Sequence, residues 1–382
     1  MTDGRLDSDF FAALDARLRT ADRELAHRWP GDPGTPQPVH TLYLPADQVG
    51  PRVLDDQRDA ALAAVEGVGP VDLAAAVALD PLVVERVWPR VLHLLKHRPV
   101  QDLRIDLEDG YGRRADAEED AHAWSAGVVL ARLPDVPAGG PVRKGVRIKS
   151  LEPVTRWRGL HSLDLVLAAM REESAHGRLP RGFVVTLPKV TSVAQVQAFV
   201  SALVELESRH GLVPGAVRFE IQVETPQAVL GADGVVTVAQ LLQAAEGRCS
   251  GLHYGTYDFS ASLGVAAAYQ SMEHPVADLA TGLMQLAAAG TAARVAHGST
   301  NVLPVGEPDE VRAAWALHAR LVRRHLERGI YQGWDLHPAQ LVTRYLATFA
   351  FYAEGAPAAV QRLRAYAAKA SSGVLDEPAT AW

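Results

Sequence analysis

Arg218–Phe219–Glu220–Ile221–Gln222–Val223–Glu224–Thr225–Pro226 is a short run that reads as a β-strand ending on an acid. The Thr225–Pro226 pair then looks like a helix start, with Thr225 as N-cap and Pro226 at the first helical position. A second run, Gly251–Leu252–His253–Tyr254–Gly255–Thr256–Tyr257–Asp258, also reads as a strand and leads to another acid. Helical character lies between the two. Two carboxylates, Glu224 and Asp258, at the C-terminal ends of consecutive strands of a βα repeat can converge on one hard cation. That pair points to metal-dependent chemistry on a parallel sheet.

The repeat extends in both directions. Candidate strands are His40–Leu44, Asp102–Leu107, Gly145–Lys149, Gly182–Pro188, Arg218–Glu224, Ser250–Tyr254, Ser299–Pro304 and Ile330–Leu336. Helical patterns near 162–176, 191–210, 236–246, 276–294 and 308–328 separate most of them. This alternation predicts an α/β fold of the (β/α)8 TIM-barrel type. An open doubly wound sheet would more often show a glycine-rich phosphate turn after the first strand, and Leu44–Pro45–Ala46–Asp47 is not one. The expected organisation is an N-terminal helix and linker over 1–39, a barrel over 40–345 with a helical insertion at 46–100, and a helical extension and tail over 346–382. The N-terminal helix, 8–28, places Phe10, Phe11, Leu14, Leu18 and Leu25 near one face. At least two helices are expected in 338–370.

Composition narrows the function classes. The chain has 382 residues, 48% of them hydrophobic, enough for a large core. A net charge of −7 and the lack of a long basic run argue against nucleic acid as a partner. No apolar stretch reaches the ~18–20 residues of a membrane span. The N-terminus lacks the layout of a signal peptide. Cys249 is the only cysteine, so neither an intrachain disulfide nor a thiolate zinc site can form. A cytoplasmic protein is the expectation.

In a barrel the active site lies at the C-terminal ends of the strands. Glu224 and Asp258 there suit Mg²⁺ or Mn²⁺, which take oxygen ligands and often need only one or two carboxylates. Arg147 is a plausible clamp for a carboxylate or a developing enolate oxygen, and an ion pair with Asp106 or Glu108 is its alternative role. Alternation puts Lys149 on the same strand face as Arg147. Asp106, Glu108 and Asp109 are expected to hold metal-bound waters or to orient Arg147. Free backbone N–H groups after Thr225 could hold a substrate carboxylate. Lys189 stands among the carboxylates, which would keep it protonated and disfavour a Schiff-base role.

In order, the strings Leu42–Tyr43–Leu44–Pro45, Ile105–Asp106–Leu107–Glu108–Asp109, Val146–Arg147–Ile148, Leu187–Pro188–Lys189–Val190, Val223–Glu224–Thr225, Tyr254–Gly255–Thr256–Tyr257–Asp258 and Leu336–His337–Pro338–Ala339–Gln340 resemble the citrate lyase β-subunit-like family, the HpcH/HpaI aldolase superfamily. The resemblance spans about 40 to 345. It implies a barrel with Mg²⁺ held at Glu224 and Asp258 and Arg147 on the substrate's oxygens. Gly255, Thr256, Thr225 and Lys189 are the expected substrate contacts. The implied activity is cleavage or formation of a carbon–carbon bond next to a carbonyl, through a metal-stabilised enolate. A 2-oxo acid or related carboxylate is the expected substrate, with a citryl- or malyl-CoA thioester as the alternative. A non-catalytic barrel that binds a carboxylate metabolite is a third reading. By the same analogy the chain is a homo-oligomer, a trimer or hexamer, in which Asp376 acts as an acid/base across the interface. Two departures stand out: Lys149 where the family often carries Asn, and Pro226 in place of a small residue. The 46–100 insertion falls where thioester-using relatives contact coenzyme A, without a match to that binding segment.

Overall fold

The computed structural model describes residues 6–174 and 176–368. Asp376 lies outside them. Eight strands form one parallel sheet: β1 His40–Pro45, β2 Asp102–Asp106, β3 Arg143–Arg147, β4 Phe183–Leu187, β5 Arg218–Val223, β6 Cys249–Tyr254, β7 Arg294–Ala296 and β8 Gly333–Asp335. Each pairs with its neighbour in sequence, and β1 also pairs with β8. A parallel bridge between Ala296 and Gln332 closes the ring, helped by the His297 amide donating to the Gln332 carbonyl at 2.8 Å. The fold is the expected TIM-like barrel.

The seventh strand corrects the sequence reading. It lies at Arg294–Ala296, in register with Gly251–His253 of β6, and not at Ser299–Pro304. Ser299–Pro304 instead belongs to the loop that follows, where the Asn301 amide donates to the Tyr257 hydroxyl at 2.6 Å. A three-residue strand is too short to show a period of its own.

Alternation along the strands builds two cores. Phe219, Ile221 and Val223 of β5 are buried among the apolar residues of the core, and so are Leu103 and Ile105 of β2. The alternate residues meet inside the barrel and are polar. Arg104 is hydrogen-bonded to Asp102 and donates to Glu220 at 2.7 Å. Glu220 also receives His253 Nε2 at 3.0 Å and Arg143 at 3.2 Å. The Trp334 indole donates to His253 Nδ1 at 3.0 Å. Buried charges at this depth persist only when paired, and these are.

The insertion carries helices Val53–Ala63, Pro70–Val77 and Pro81–His97. Their apolar faces, including Leu73, Val84, Val87, Val91 and Leu95, are buried. Helix Pro81–His97 packs along helix Pro338–Ala367. That last helix is one continuous element of 30 residues, where the sequence suggested at least two. Pro357 lies within it and has no N–H for the carbonyl of Ala353. Arg86 Nη2 donates to that carbonyl at 3.1 Å, so the helix continues without an orphaned acceptor. On its inner side Arg344 donates to Asp335 Oδ1 at 2.8 Å, and His318 Nε2 is 3.0 Å from the same oxygen.

Helix Ser8–Arg28 has the expected bounds, with Asp7 accepting from the Phe10 amide at 2.9 Å, and none of its residues is buried. The segment after it is fastened to the barrel: Gly31 N donates to Gly290 O at 2.8 Å, and Asp32 pairs with Arg294 at 2.5 Å. Among the described residues no helix is long and apolar enough to cross a membrane.

Candidate active site

The C-terminal mouth of the barrel gathers the singled-out residues from five strands. Arg147, the last residue of β3, is the fixed point. Its Nε donates to Asp106 Oδ1 at 2.7 Å and its Nη2 to Asp106 Oδ2 at 2.5 Å. This is the two-pronged fit of a guanidinium to a carboxylate. The plane is held over Tyr43, 5.0 Å from the ring centroid, with Trp334 at 5.9 Å. Nη1 is 3.3 Å from Gln222 Oε1 and 3.5 Å from Glu108. Asp106 thus orients Arg147. Its carboxylate also caps the turn after β2 by accepting from the amides of Glu108 and Gly110 at 2.9 and 2.8 Å.

Lys189 ties the acids together. It follows β4 with φ +49°, a left-handed conformation that is uncommon outside glycine. Its amide donates to Glu224 Oε1 at 2.7 Å. Its ammonium is 2.6 Å from Asp109, 2.9 Å from Glu108 and 3.5 Å from Asp258. Both acids of the expected metal pair therefore touch the same residue. Glu224 is buried and also accepts from the Gln222 amide. Asp258 is in the first turn of helix Thr256–Ser262 and its side chain is 45% exposed, so it faces the open mouth.

The charges do not balance. Asp106 is matched by Arg147, which also lies 3.5 Å from Glu108; the Lys189 ammonium is shared by Glu108, Asp109 and Asp258, while Glu224 meets the Lys189 backbone amide. The consequence shows in the titration of the acids. Burial pushes Glu224 up to about 8; Lys189 opposes this, and the charges on Glu108 and Asp258 add to it. Burial likewise pushes Glu108 up to about 7 against the pull of Arg147 and Lys189. For Asp109 burial is outweighed by its bond to Lys189, and its carboxyl is held below the usual range. Lys189 itself, despite burial, is held above the ordinary lysine value by Glu224 and Glu108.

This donor set fits a divalent cation. All its members are oxygen ligands, the preference of Mg²⁺ and Mn²⁺, and the acids carry negative charge that Lys189 alone does not neutralise. Among the described residues no three His, Cys, Asp or Glu side chains form a ready-made cage. An ion held there would have few protein ligands, with Glu224 and Asp258 the acids that would hold it, and water and substrate oxygens would complete its shell.

The remaining expected residues are placed as follows. Gly255 packs directly on Glu224, and its amide donates to Val223 O at 3.0 Å. Thr256 is buried, and its hydroxyl has no hydrogen-bond partner among the described residues. Thr225 Oγ1 accepts from the Ala228 amide at 3.2 Å, so the expected cap is present, but the helix it starts, Pro226–Val229, is one turn long. Lys149 departs from the sequence reading. β3 ends at Arg147, and the Lys149 ammonium donates to Leu107 O at 2.8 Å and Glu119 at 2.6 Å, so its charge is spent outside the acid cluster. His337 caps helix Pro338–Ala367 by accepting from the Ala339 amide at 3.2 Å. Three residues of the site were not singled out from the sequence: Gln222, Tyr43 and Trp334. Gln222 was legible, since it shares the period-2 face of Glu220 and Glu224.

The structure is similar to a citrate lyase from Burkholderia xenovorans LB400, with TM-score 0.59 and 19% identity over 91% of this chain and 89% of that one. It is also similar to malate synthase from Haloferax volcanii. A lead(II) complex of that enzyme gives TM-score 0.52 and 16% identity over 81% of this chain and 72% of that one. Its magnesium/glyoxylate complex gives TM-score 0.50 and 14% identity over 86% and 91%. The likeness implied by the sequence motifs is thus met in the fold. No curated protein matches the sequence. A family model matches residues 18–382, and the chain belongs to that family, described as Domain of unknown function (DUF6986).

Proposed function

We propose that the protein is a divalent-metal-dependent carbon–carbon lyase of the aldolase type, acting on a 2-oxo acid or a related carboxylate. The observation that carries this reading is the pairing of an under-neutralised acid set, Glu224 and Asp258 beside Glu108 and Asp109, with a rigidly held Arg147 at the same barrel mouth. The similar malate synthase has been obtained as a magnesium/glyoxylate complex, which supports Mg²⁺ as the ion.

A cation bound by Glu224 and Asp258 supplies Lewis-acid stabilisation of enolate charge and a template for two substrate oxygens. The chain's own residues do the rest. Arg147 faces the developing oxyanion with a guanidinium already fixed by Asp106, Tyr43 and Trp334, so little reorganisation accompanies the reaction. Lys189 adds a second positive group. In the cleavage direction the β-hydroxyl gives its proton to a base and becomes the departing carbonyl as the bond between the α and β carbons breaks. The electron pair of that bond passes to the α carbon as the enolate, which is then protonated. Asp376 is the acid/base that the family resemblance suggests for those proton transfers.

The thioester alternative is supported by one comparison, a Haloferax volcanii malate synthase ternary complex with pyruvate and acetyl-CoA. In this chain most of the insertion's large apolar residues pack inward, although Val71 and Leu82 stay exposed, and the insertion has no match to a coenzyme A-binding segment, which favours the free-acid reading. The test is a turnover screen with Mg²⁺ and with EDTA. It would pair oxaloacetate and 4-hydroxy-2-oxo acids with malyl- and citryl-thioesters. Metal-dependent turnover of free acids is the expected result; turnover of thioesters alone would establish the alternative. Metal and oxaloacetate binding without any turnover would support a binding-only barrel.

A further inference from the structure

The opposite end of the barrel carries a second constellation. Arg143 and Arg218, the first residues of β3 and β5, stand at the N-terminal mouth. The loop before β4 adds His176 and Arg178. Together they line a cavity of ≈ 670 Å³ with no Asp or Glu in its wall. That volume lies within the ~300–1,000 Å³ range of small-molecule sites.

These guanidiniums are poorly neutralised. Arg143 donates to Ser250 Oγ at 2.9 Å and to Glu220 at 3.2 Å, but Glu220 is already shared with Arg104 and His253. Among the described residues, Arg218 has one hydrogen-bond partner, the carbonyl of Gly247 at 3.3 Å. Among the described residues Arg178 has no carboxylate partner. Behind the wall lies Arg171, whose Nε is buried without a hydrogen-bond partner among the described residues. Its guanidinium lies against Gly177 and Gly211, which both line the cavity. A Cβ on Gly177 would be 3.4 Å from Nη2, and one on Gly211 would be 3.6 Å from Nη1. Both glycines have left-handed backbones, at φ +60° and +59°, so any other residue would be strained as well as covering the charge.

We infer that this cavity binds a small multivalent anion, whose phosphate or carboxylate oxygens are gripped by Arg178 and Arg218 with Arg143 at the base. The planar fork of a guanidinium matches either group with two parallel bonds. The site is separate from the acid cluster: one lies at the N-terminal ends of the strands, the other at the C-terminal ends. The inference is independent of the proposed reaction.

Isothermal calorimetry of the full chain, with pyrophosphate and with citrate in separate titrations at constant ionic strength, tests it. The wild type is expected to bind one of the two saturably. The double variant Arg178→Gln/Arg218→Gln should raise that Kd by at least about tenfold. Both side chains are exposed, and an unchanged thermal midpoint without ligand would show that the variant is folded. Pyrophosphate binding alone assigns a phosphate ligand, and citrate binding alone a polycarboxylate; either supports the site. Absence of binding to the wild type overturns it. So does binding that survives the double substitution, as it would if Arg147 at the other mouth were the receptor.

Discussion

Gly255 sits against Glu224 so closely that a Cβ built on it would lie 2.4 Å from Glu224 Cβ and 2.7 Å from Oε2. The bare backbone of Gly255 therefore fixes the direction in which the Glu224 carboxylate points. Gly255→Ala is expected to push that carboxylate aside. Misplacement by about 1 Å at a reacting centre can cost ~100-fold in rate. Steady-state turnover beside a thermal melt would separate this from unfolding: activity should fall much further than stability. Unchanged activity would mean that the position of Glu224 is not critical.

Glu224→Gln and Asp258→Asn each remove a proposed ligand charge while keeping side-chain shape. Mg²⁺ binding, followed by calorimetry, should disappear in both, with the circular dichroism spectrum unchanged. If both variants bind Mg²⁺ like the wild type, the ion is held elsewhere.

Lys189 holds its ammonium 3.5 Å from Asp258 and competes for the same acids as a metal would. Lys189→Met should therefore tighten Mg²⁺ binding, by about tenfold or more given the strength of charge–charge interactions at this range in a partly buried site. Lys189→Arg should leave affinity near that of the wild type. A methionine variant with weaker metal binding would show instead that the backbone conformation at 189 organises Glu224.

Stability should depend on pH through the buried histidines. Burial is the first cause that holds His40, His297, His318 and His325 below the ordinary 6.5, His40 at about 4 and His297 at about 3. Unfolded, they take up protons near 6.5, so between there and about 4 the unfolded chain binds more protons than the native one. Their contribution is full above pH 6.5 and is lost as pH falls through that window. Glu108 and Glu224, raised by burial, act with the opposite sign. The histidine part is therefore read as the difference in urea midpoint between wild type and His40→Gln. That difference should shrink on acidification from pH 7 to 4, by on the order of 1–3 kcal/mol in unfolding free energy. A constant difference would mean that His40 has the same proton affinity in the native and unfolded chains.

Most of the barrel was legible because its strands alternate. Glu220, Gln222 and Glu224 interleave with Phe219, Ile221 and Val223, and the sheet uses that period directly. What escaped was short or non-local. β7 has three residues and leaves no period. The helix through Pro357 survives because of Arg86, 267 residues before the Ala353 carbonyl that it bonds, a partner that no local rule can anticipate. Lys149 was assigned to the face of Arg147 on the assumption that β3 continued, but the strand stops at Arg147. Of the candidate site, the acids and Arg147 were legible as strand-end residues, whereas Tyr43 and Trp334 acquire meaning only when β1 and β8 are brought beside β3.

The polar interior of the barrel has a consequence for its divisibility. β2 and β3 bring Arg104 and Arg143 to the axis, and β5 and β6 bring Glu220 and His253 to meet them. A cut between β4 and β5 would leave one fragment with cations stripped of Glu220 and the other with a buried acid stripped of its arginines. Neither fragment could cover its inner surface with apolar side chains. Here the seam between the two halves is sewn with charge, so the separated halves are expected to be less stable than the whole ring.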